Sequence, residues 1–196
     1  MAHSAGPRVR AAILAGGRAR RLGGEKATAE LAGRPLIAYP LETTRAAGLD
    51  PVVVAKRGTP LPELDCELIC EPDLPVHPLV GILTALDACG GPVIALGCDM
   101  PFVTAPLLSW LAGREPAAVA SVDGRLEPLL AIYGPGDAAP LGAALDQEAP
   151  LQEAVDRLDP EILAEVHLAR FGDPRRLAMS VNTEADLAEA ARVLSA

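Results

Sequence analysis

The chain has 196 residues, half of them apolar, with 26 acids against 17 bases and a net charge of −9. That length buries one core and fits a single domain spanning residues 1–196. The acidic balance, with only one Trp, two Tyr and two Phe, excludes a polyanion track or a base-stacking platform, so no nucleic-acid partner is expected.

The elements then read in order along the chain. Val9–Ala15 is a short apolar run ending in Gly16-Gly17, a buried strand entering a turn. Leu36–Ala47 has helical spacing, with Pro35 at its start, a kink expected at Pro40, and Gly48 closing it. Pro51–Ala55 is a β-branched second strand, and Leu68–Cys70 is a short third. Leu79–Cys89 is a helix stopped by Gly90-Gly91, followed by the apolar strand Pro92–Gly97. Thr104 caps a helix reaching Leu111, whose Trp110 reads as core. Ala117–Val122 and Glu127–Tyr133 flank the turn-forming Asp123-Gly124 as a strand pair. Residues 136–165 are Ala-, Leu- and acid-rich and read as helical, with breaks expected at Pro140, Pro150 and Pro160. Thr183–Leu194 is a terminal helix with Thr183 as N-cap and Asp186 three residues on. Doubly apolar strands separated by helices predict an α/β fold, a mostly parallel sheet covered on both faces, with some antiparallel strands near 117–133.

No apolar run approaches the roughly 20 residues of a membrane span. The start, MAHSAGPRVRAAILAGG, lacks the order of a signal peptide. Cys66, Cys70, Cys89 and Cys98 form no CxxC pair and read as reduced thiols. A cytoplasmic protein without membrane association is expected.

Charge is uneven: residues 1–34 carry seven Arg or Lys and two acids, on an otherwise acidic body. Within that basic segment lies Gly16-Gly17-x3-Arg21-x4-Lys26, directly after the first strand. The two glycines leave room for backbone N–H groups to approach phosphate oxygens, and Arg21 and Lys26 neutralise a triphosphate and a departing pyrophosphate. The spacing is neither GxGxxG nor GxxxxGK[ST]. The second informative segment is Gly97-Cys98-Asp99-Met100-Pro101, at the end of another apolar strand. Ligands of such sheets sit at the carboxyl ends of strands. Asp99 there suits Mg²⁺, which keeps several waters and takes one or two carboxylates.

With these residues the chain resembles the MobA-like nucleotidyltransferases, specifically the molybdenum cofactor guanylyltransferases. The resemblance runs through LAGGRARRLGGEK (Leu14–Lys26), GRPLI (Gly33–Ile37), PLVGILTAL (Pro78–Leu86), CDMPF (Cys98–Phe102), DGRLEPLLAIY (Asp123–Tyr133) and VNTEADL (Val181–Leu187). It implies a three-layer Rossmann-like fold of the nucleotide-diphosphosugar transferase type. It also implies Mg-dependent transfer of GMP from GTP to molybdopterin cofactor with release of pyrophosphate, and transient contacts with molybdenum-insertion proteins. By position, Leu14, Ala15, Gly16 and Gly17 surround the nucleotide, Arg21 and Lys26 bind its triphosphate, and Asp99 holds the metal. The family's acidic residue before the PLxGI segment falls at Asp73, with Glu71 nearby. Ser180 and Asn182 stand at the C-terminal NxNT element, on the pterin side.

Four positions depart from the family pattern. His77 replaces a glycine before Pro78, and Lys56-Arg57 replace a polar Asn linked to guanine recognition. Ser180 replaces the first Asn of NxNT, and Glu127 replaces a Gln. They leave nucleotidyl transfer intact and keep one alternative open, a related nucleotidyltransferase using CTP or another phosphorylated acceptor. A third reading, a non-catalytic nucleotide-binding or scaffold protein of cofactor assembly, is opposed by Arg21, Lys26 and Asp99 together. The LAGG form, rather than LAAG, favours GTP.

Overall fold

The computed structural model describes residues 8–16 and 26–195. The first strand, β1 (Arg10–Leu14), is followed by two two-residue strands, β2 (Glu30–Leu31) and β3 (Arg34–Pro35), which pair as a small antiparallel hairpin. Next come α1 (Ala38–Ala46), β4 (Asp50–Lys56), β5 (Glu67–Glu71), α2 (Pro78–Cys89), β6 (Val93–Gly97) and α3 (Ala105–Leu111). The strand pair is β7 (Ala118–Val122) and β8 (Arg125–Tyr133); α4 (Ala138–Asp146), α5 (Leu151–Asp156) and β9 (Glu161–Leu163) follow. Two four-residue helices, α6 (Glu165–Leu168) and α7 (Pro174–Leu177), lead to α8 (Glu184–Leu194).

Seven strands form one sheet in the order β5-β4-β1-β6-β8-β7-β9. All run the same way except β8, which is antiparallel to both its neighbours. Alternation along the strands sends side chains to two cores. Ala11, Ile13, Val53, Ile94 and Leu96 meet Ile37 and Leu41 together with Leu107 and Leu108 of α3. Ala12, Val52, Val54, Val93 and Ala95 meet Leu79, Ile82 and Leu86 of α2 and Leu141 of α4. Each fully buried Leu, Ile or Val contributes about 1.5–3 kcal/mol through removal from water, which holds helices on both faces. This is the three-layer α/β arrangement that the apolar strands predict.

Several boundaries differ from expectation, for local reasons. Both Pro40 and Pro140 lie in the first turn of their helices. Their missing N–H groups have no intrahelical partner there, so Pro140 does not break α4. Pro150 does separate α4 from α5, as its N-cap residue. Directly after Pro160 the chain is extended and not helical: β9 adds to the sheet edge beside β7. A three-residue strand is too short to leave a periodic signal. Asp123-Gly124 makes the expected turn, with φ of 50° and 72°, as a tight hairpin requires. Trp110 is half-buried against Phe171, with ring centroids 5.3 Å apart. No helix among the described residues is long and apolar enough to cross a membrane.

A third, smaller cluster joins Leu31 and Leu36 of the hairpin region to Val181 and Ala190. It docks α8 against the segment that follows Lys26. Thr183 and Asp186 form the expected capping box, the Asp186 N–H donating to Thr183 Oγ1 at 3.1 Å and the Thr183 N–H to Asp186 Oδ2 at 2.9 Å.

Candidate active site

The parallel register sets the ends of β1, β4, β5 and β6 side by side: Leu14 lies opposite Val54 and Gly97, and Lys56 opposite Glu71. A cavity of about 580 Å³ opens over these carboxyl ends, where an α/β sheet presents its ligand site. Its walls include Leu14 at the end of β1, Gly16 beyond it, Cys98 and Asp99 after β6, Pro78 and Gly81 of α2, Leu129 of β8, and Ser180 and Asn182 before α8.

Asp99 is buried on the cavity wall, 5% exposed. A Cβ at Gly97 would lie 2.3 Å from Asp99 Oδ1, so glycine makes the space that the carboxylate fills. Asp99 Oδ2 pairs with Lys26 Nζ, and the same ammonium donates to Asn182 Oδ1 at 2.7 Å. The Val181 N–H donates to the Asp99 carbonyl at 2.9 Å, which stitches the segment carrying Asn182 onto the strand end carrying Asp99.

A second lysine–carboxylate pair occupies the ends of β4 and β5. Lys56 Nζ lies 3.5 Å from Glu71 Oε1 and donates to the Pro72 carbonyl at 2.6 Å. The Glu71 carboxylate sits against two glycines: a Cβ at Gly16 would approach Oε1 to 1.9 Å, and one at Gly81 would approach Oε2 to 3.0 Å. Burial pushes the Glu71 carboxyl above its ordinary range, outweighing the pull of Lys56 toward the ionised form. Glu71 and Asp99 are the only buried acids among the described residues, and Lys26 and Lys56 are the only lysines in the sequence. The chain uses arginine for every other cationic side chain and reserves lysine for this cavity.

His77 also borders the cavity, and its Nδ1 accepts from the Leu79 N–H at 3.2 Å, capping α2. The residue standing in the glycine position therefore has a structural use. Burial pushes the Cys98 thiol up to about 12, so this cysteine is no nucleophile near neutrality.

Of the residues singled out from the sequence, Leu14, Gly16, Lys26, Asp99, Ser180 and Asn182 come together around the cavity. Ala15 lies beneath it, buried, with its N–H donated to the Val54 carbonyl at 2.8 Å. Asp73 is exposed and outside the lining, and Glu71 is the acid that faces inward. The reason is register: β5 ends at Glu71, opposite Lys56, and Asp73 lies beyond it on the outgoing loop. Gly17 and Arg21 lie outside the described residues. Lys56, which stands where the resemblance implies an Asn, lines the same cavity.

No group of three or more His, Cys, Asp or Glu suited to a metal occurs among the described residues. The carboxylates of Asp99 and Glu71 offer the cavity hard oxygens, and the sequence expectation places the metal on Asp99. Such a donor set suits an ion completing its shell with phosphate oxygens and water, as Mg²⁺ does, and does not suit a metal needing a protein cage.

The MobA-like NTP transferase domain matches residues 11–162. A molybdenum cofactor guanylyltransferase of Acidiphilium cryptum is 35% identical, over 98% of this chain and all of that protein. One of Cereibacter sphaeroides is 31% identical, over 93% of this chain and 95% of the other. A probable molybdenum cofactor guanylyltransferase of Opitutus terrae is 34% identical over 62% of this chain, a match spanning 64% of that protein's length. Among solved structures, the molybdopterin-guanine dinucleotide biosynthesis protein A of Archaeoglobus fulgidus superposes with a TM-score of 0.79 at 28% identity, covering 95% of this chain and 98% of its own. The 2-C-methyl-D-erythritol 4-phosphate cytidylyltransferase of Thermus thermophilus, at 17% identity and a TM-score of 0.67 over 95% of this chain and 99% of its own, shares the fold. With its strand-end cavity and with sequence relatives along nearly its whole length, the chain belongs to the MobA-like NTP transferase family.

Proposed function

We propose that the protein is a molybdenum cofactor guanylyltransferase, transferring GMP from GTP to the terminal phosphate of molybdopterin cofactor. One observation carries the reading: Lys26 and Asp99 meet on the cavity wall beside Gly16, although 73 positions separate them in the chain. A cation and a metal-competent carboxylate at one point are what two approaching polyanions require.

In the reaction, an oxygen of the acceptor phosphate attacks the α-phosphorus of GTP. The bond from that phosphorus to the α,β-bridging oxygen breaks, and pyrophosphate leaves with the electron pair. The acceptor oxygen is already anionic, so no strong base is needed and none is offered. Lys26 exchanges Asp99 and Asn182 for phosphate oxygens and stabilises charge that grows on the leaving group. The absence of a side chain at Gly16 leaves the Glu71 carboxylate its place on the cavity wall. Asp99 would hold Mg²⁺, which when bound neutralises phosphate charge. Ser180 and Asn182 face the acceptor.

Guanine selection is supported by the Lys56–Glu71 pair. Guanine presents one acceptor, O6, beside two donors, N1–H and N2–H₂, and the pair presents one ammonium beside two carboxylate oxygens. The test is incubation of the purified protein with Mg²⁺, molybdopterin cofactor and each nucleoside triphosphate in turn, with products read by mass and pyrophosphate measured. A guanine dinucleotide product from GTP alone is expected. A cytosine product overturns the base assignment, and no product with any nucleotide overturns the transferase reading.

A further inference from the structure

The contacts around Lys26 extend beyond the cavity. Its ammonium is held by Asn182 Oδ1 at 2.7 Å, and Asn182 is itself held from behind. The Asn182 N–H donates to Asp186 Oδ2 at 2.9 Å, and the Thr183 N–H donates to the same oxygen at 2.9 Å. The Asp186 N–H returns a bond to Thr183 Oγ1 at 3.1 Å. One carboxylate oxygen thus fixes two successive peptide groups, and the first of them carries the side chain that grips the ammonium. An ordinary capping box satisfies a single N–H outside the helix; here the second bond reaches one residue further, to Asn182.

We infer that Asp186 is a positioning residue for Lys26, acting through Asn182, and that the start of α8 sets the place of the cavity's ammonium group. Two further observations support this. The Val181 N–H is bound to the Asp99 carbonyl, so the turn cannot shift without disturbing the strand end. Leu31 and Leu36, in the segment following Lys26, pack with Val181 and Ala190, so both sides of the Lys26–Asn182 contact rest on one apolar cluster. These bonds to its oxygen also hold the Asp186 carboxyl below its ordinary range, the Asn182 N–H first among them, so the group stays ionised and bonded near neutrality.

The inference rests on the proposed role of Lys26 for its kinetic consequence, but its structural part is testable apart from activity. With only two lysines in the chain, ¹³Cε-labelled lysine gives two resolvable signals. Asp186→Ala is expected to move the Lys26 signal and leave that of Lys56 in place. It is also expected to lower GTP turnover about tenfold with little change in KM, and Asp186→Glu, the residue most used at this capping position, to restore turnover to within about twofold. In an Asn182→Ala background, Asp186→Ala is expected to cost less than about twofold more, because the two act in one chain of contacts. An unmoved Lys26 signal, or the same kinetic cost in both backgrounds, overturns the inference. Full turnover in Lys26→Ala overturns the functional reading, and leaves the spectroscopic result to decide the positioning.

Discussion

Lys26 and Lys56 each meet a buried carboxylate, but the two ammonium groups are held in different ways. Lys26 has side-chain partners, Asp99 and Asn182, and both can hand it over to a phosphate chain. Lys56 donates to a backbone carbonyl, that of Pro72, with Glu71 at the looser distance of 3.5 Å. A backbone acceptor cannot rotate away. The first lysine is therefore suited to charge that moves during a reaction, and the second to a rigid ligand edge that must be read. On the proposed function, two pairs of the same chemical type thus divide the cavity into a reacting end and a recognising end.

Substitutions can break that division, and the largest effect belongs to the reacting end. Lys26→Ala is expected to lower turnover about 100- to 1,000-fold, the usual cost of removing a group that stabilises developing charge. The fold, followed by circular dichroism and thermal melting, is expected to persist. Asp99→Asn is expected to cost about 100-fold and to abolish the response of rate to added Mg²⁺, read in a metal titration. A Mg²⁺ response preserved in that variant would detach the metal from Asp99.

Gly16→Ala tests the boundary between the two ends. Its new Cβ falls on the Glu71 carboxylate, which must leave its place beside Lys56. The KM for GTP is expected to rise about tenfold, as for a ligand displaced by a fraction of an ångström. Glu71→Gln addresses the recognising end alone. It is expected to narrow the kcat/KM preference for GTP over ITP, which lacks the N2 amino group, by about tenfold while leaving turnover at saturation nearly unchanged.

The smallest effect is on stability. The folded Glu71 carboxyl lies above its ordinary value of 4.5, so the native state binds that proton more tightly than the unfolded chain does. The contribution of Glu71 is most favourable in acid and declines as pH rises through the window above 4.5. Glu71→Gln lacks this decline, and its melting temperature is expected to gain on the wild type from acid toward neutral pH. Glu127 is raised in the same direction but is common to both proteins, so it cancels in the difference.

Much of this was legible in the residues. Continuous apolar runs located β1, β4 and β6, and Gly16 and Asp99 stood at strand ends, where the parallel sheet brings them to one cavity. Thr183 and Asp186 marked the start of α8 by spacing alone. The acid of the second pair was harder to place. Asp73 and Glu71 are two residues apart, and only the pairing of β5 with β4 decides which one turns inward. The small elements escaped for lack of length: two- and three-residue strands and four-residue helices have no period to detect. Pro140 misled because a proline three residues into a helix looks, in sequence, like one that ends it.

The concentration of lysine in the cavity has a practical side. Apart from the α-amino group, acylating reagents aimed at amines have no target on this chain except the two lysines that line its ligand site. Surface coupling through such chemistry, or acetylation of either side chain, would erase cavity charge while leaving the arginine-decorated exterior untouched. Loss of activity after that treatment would report on the cavity and not on denaturation, and a bound nucleotide would act as a shield against it.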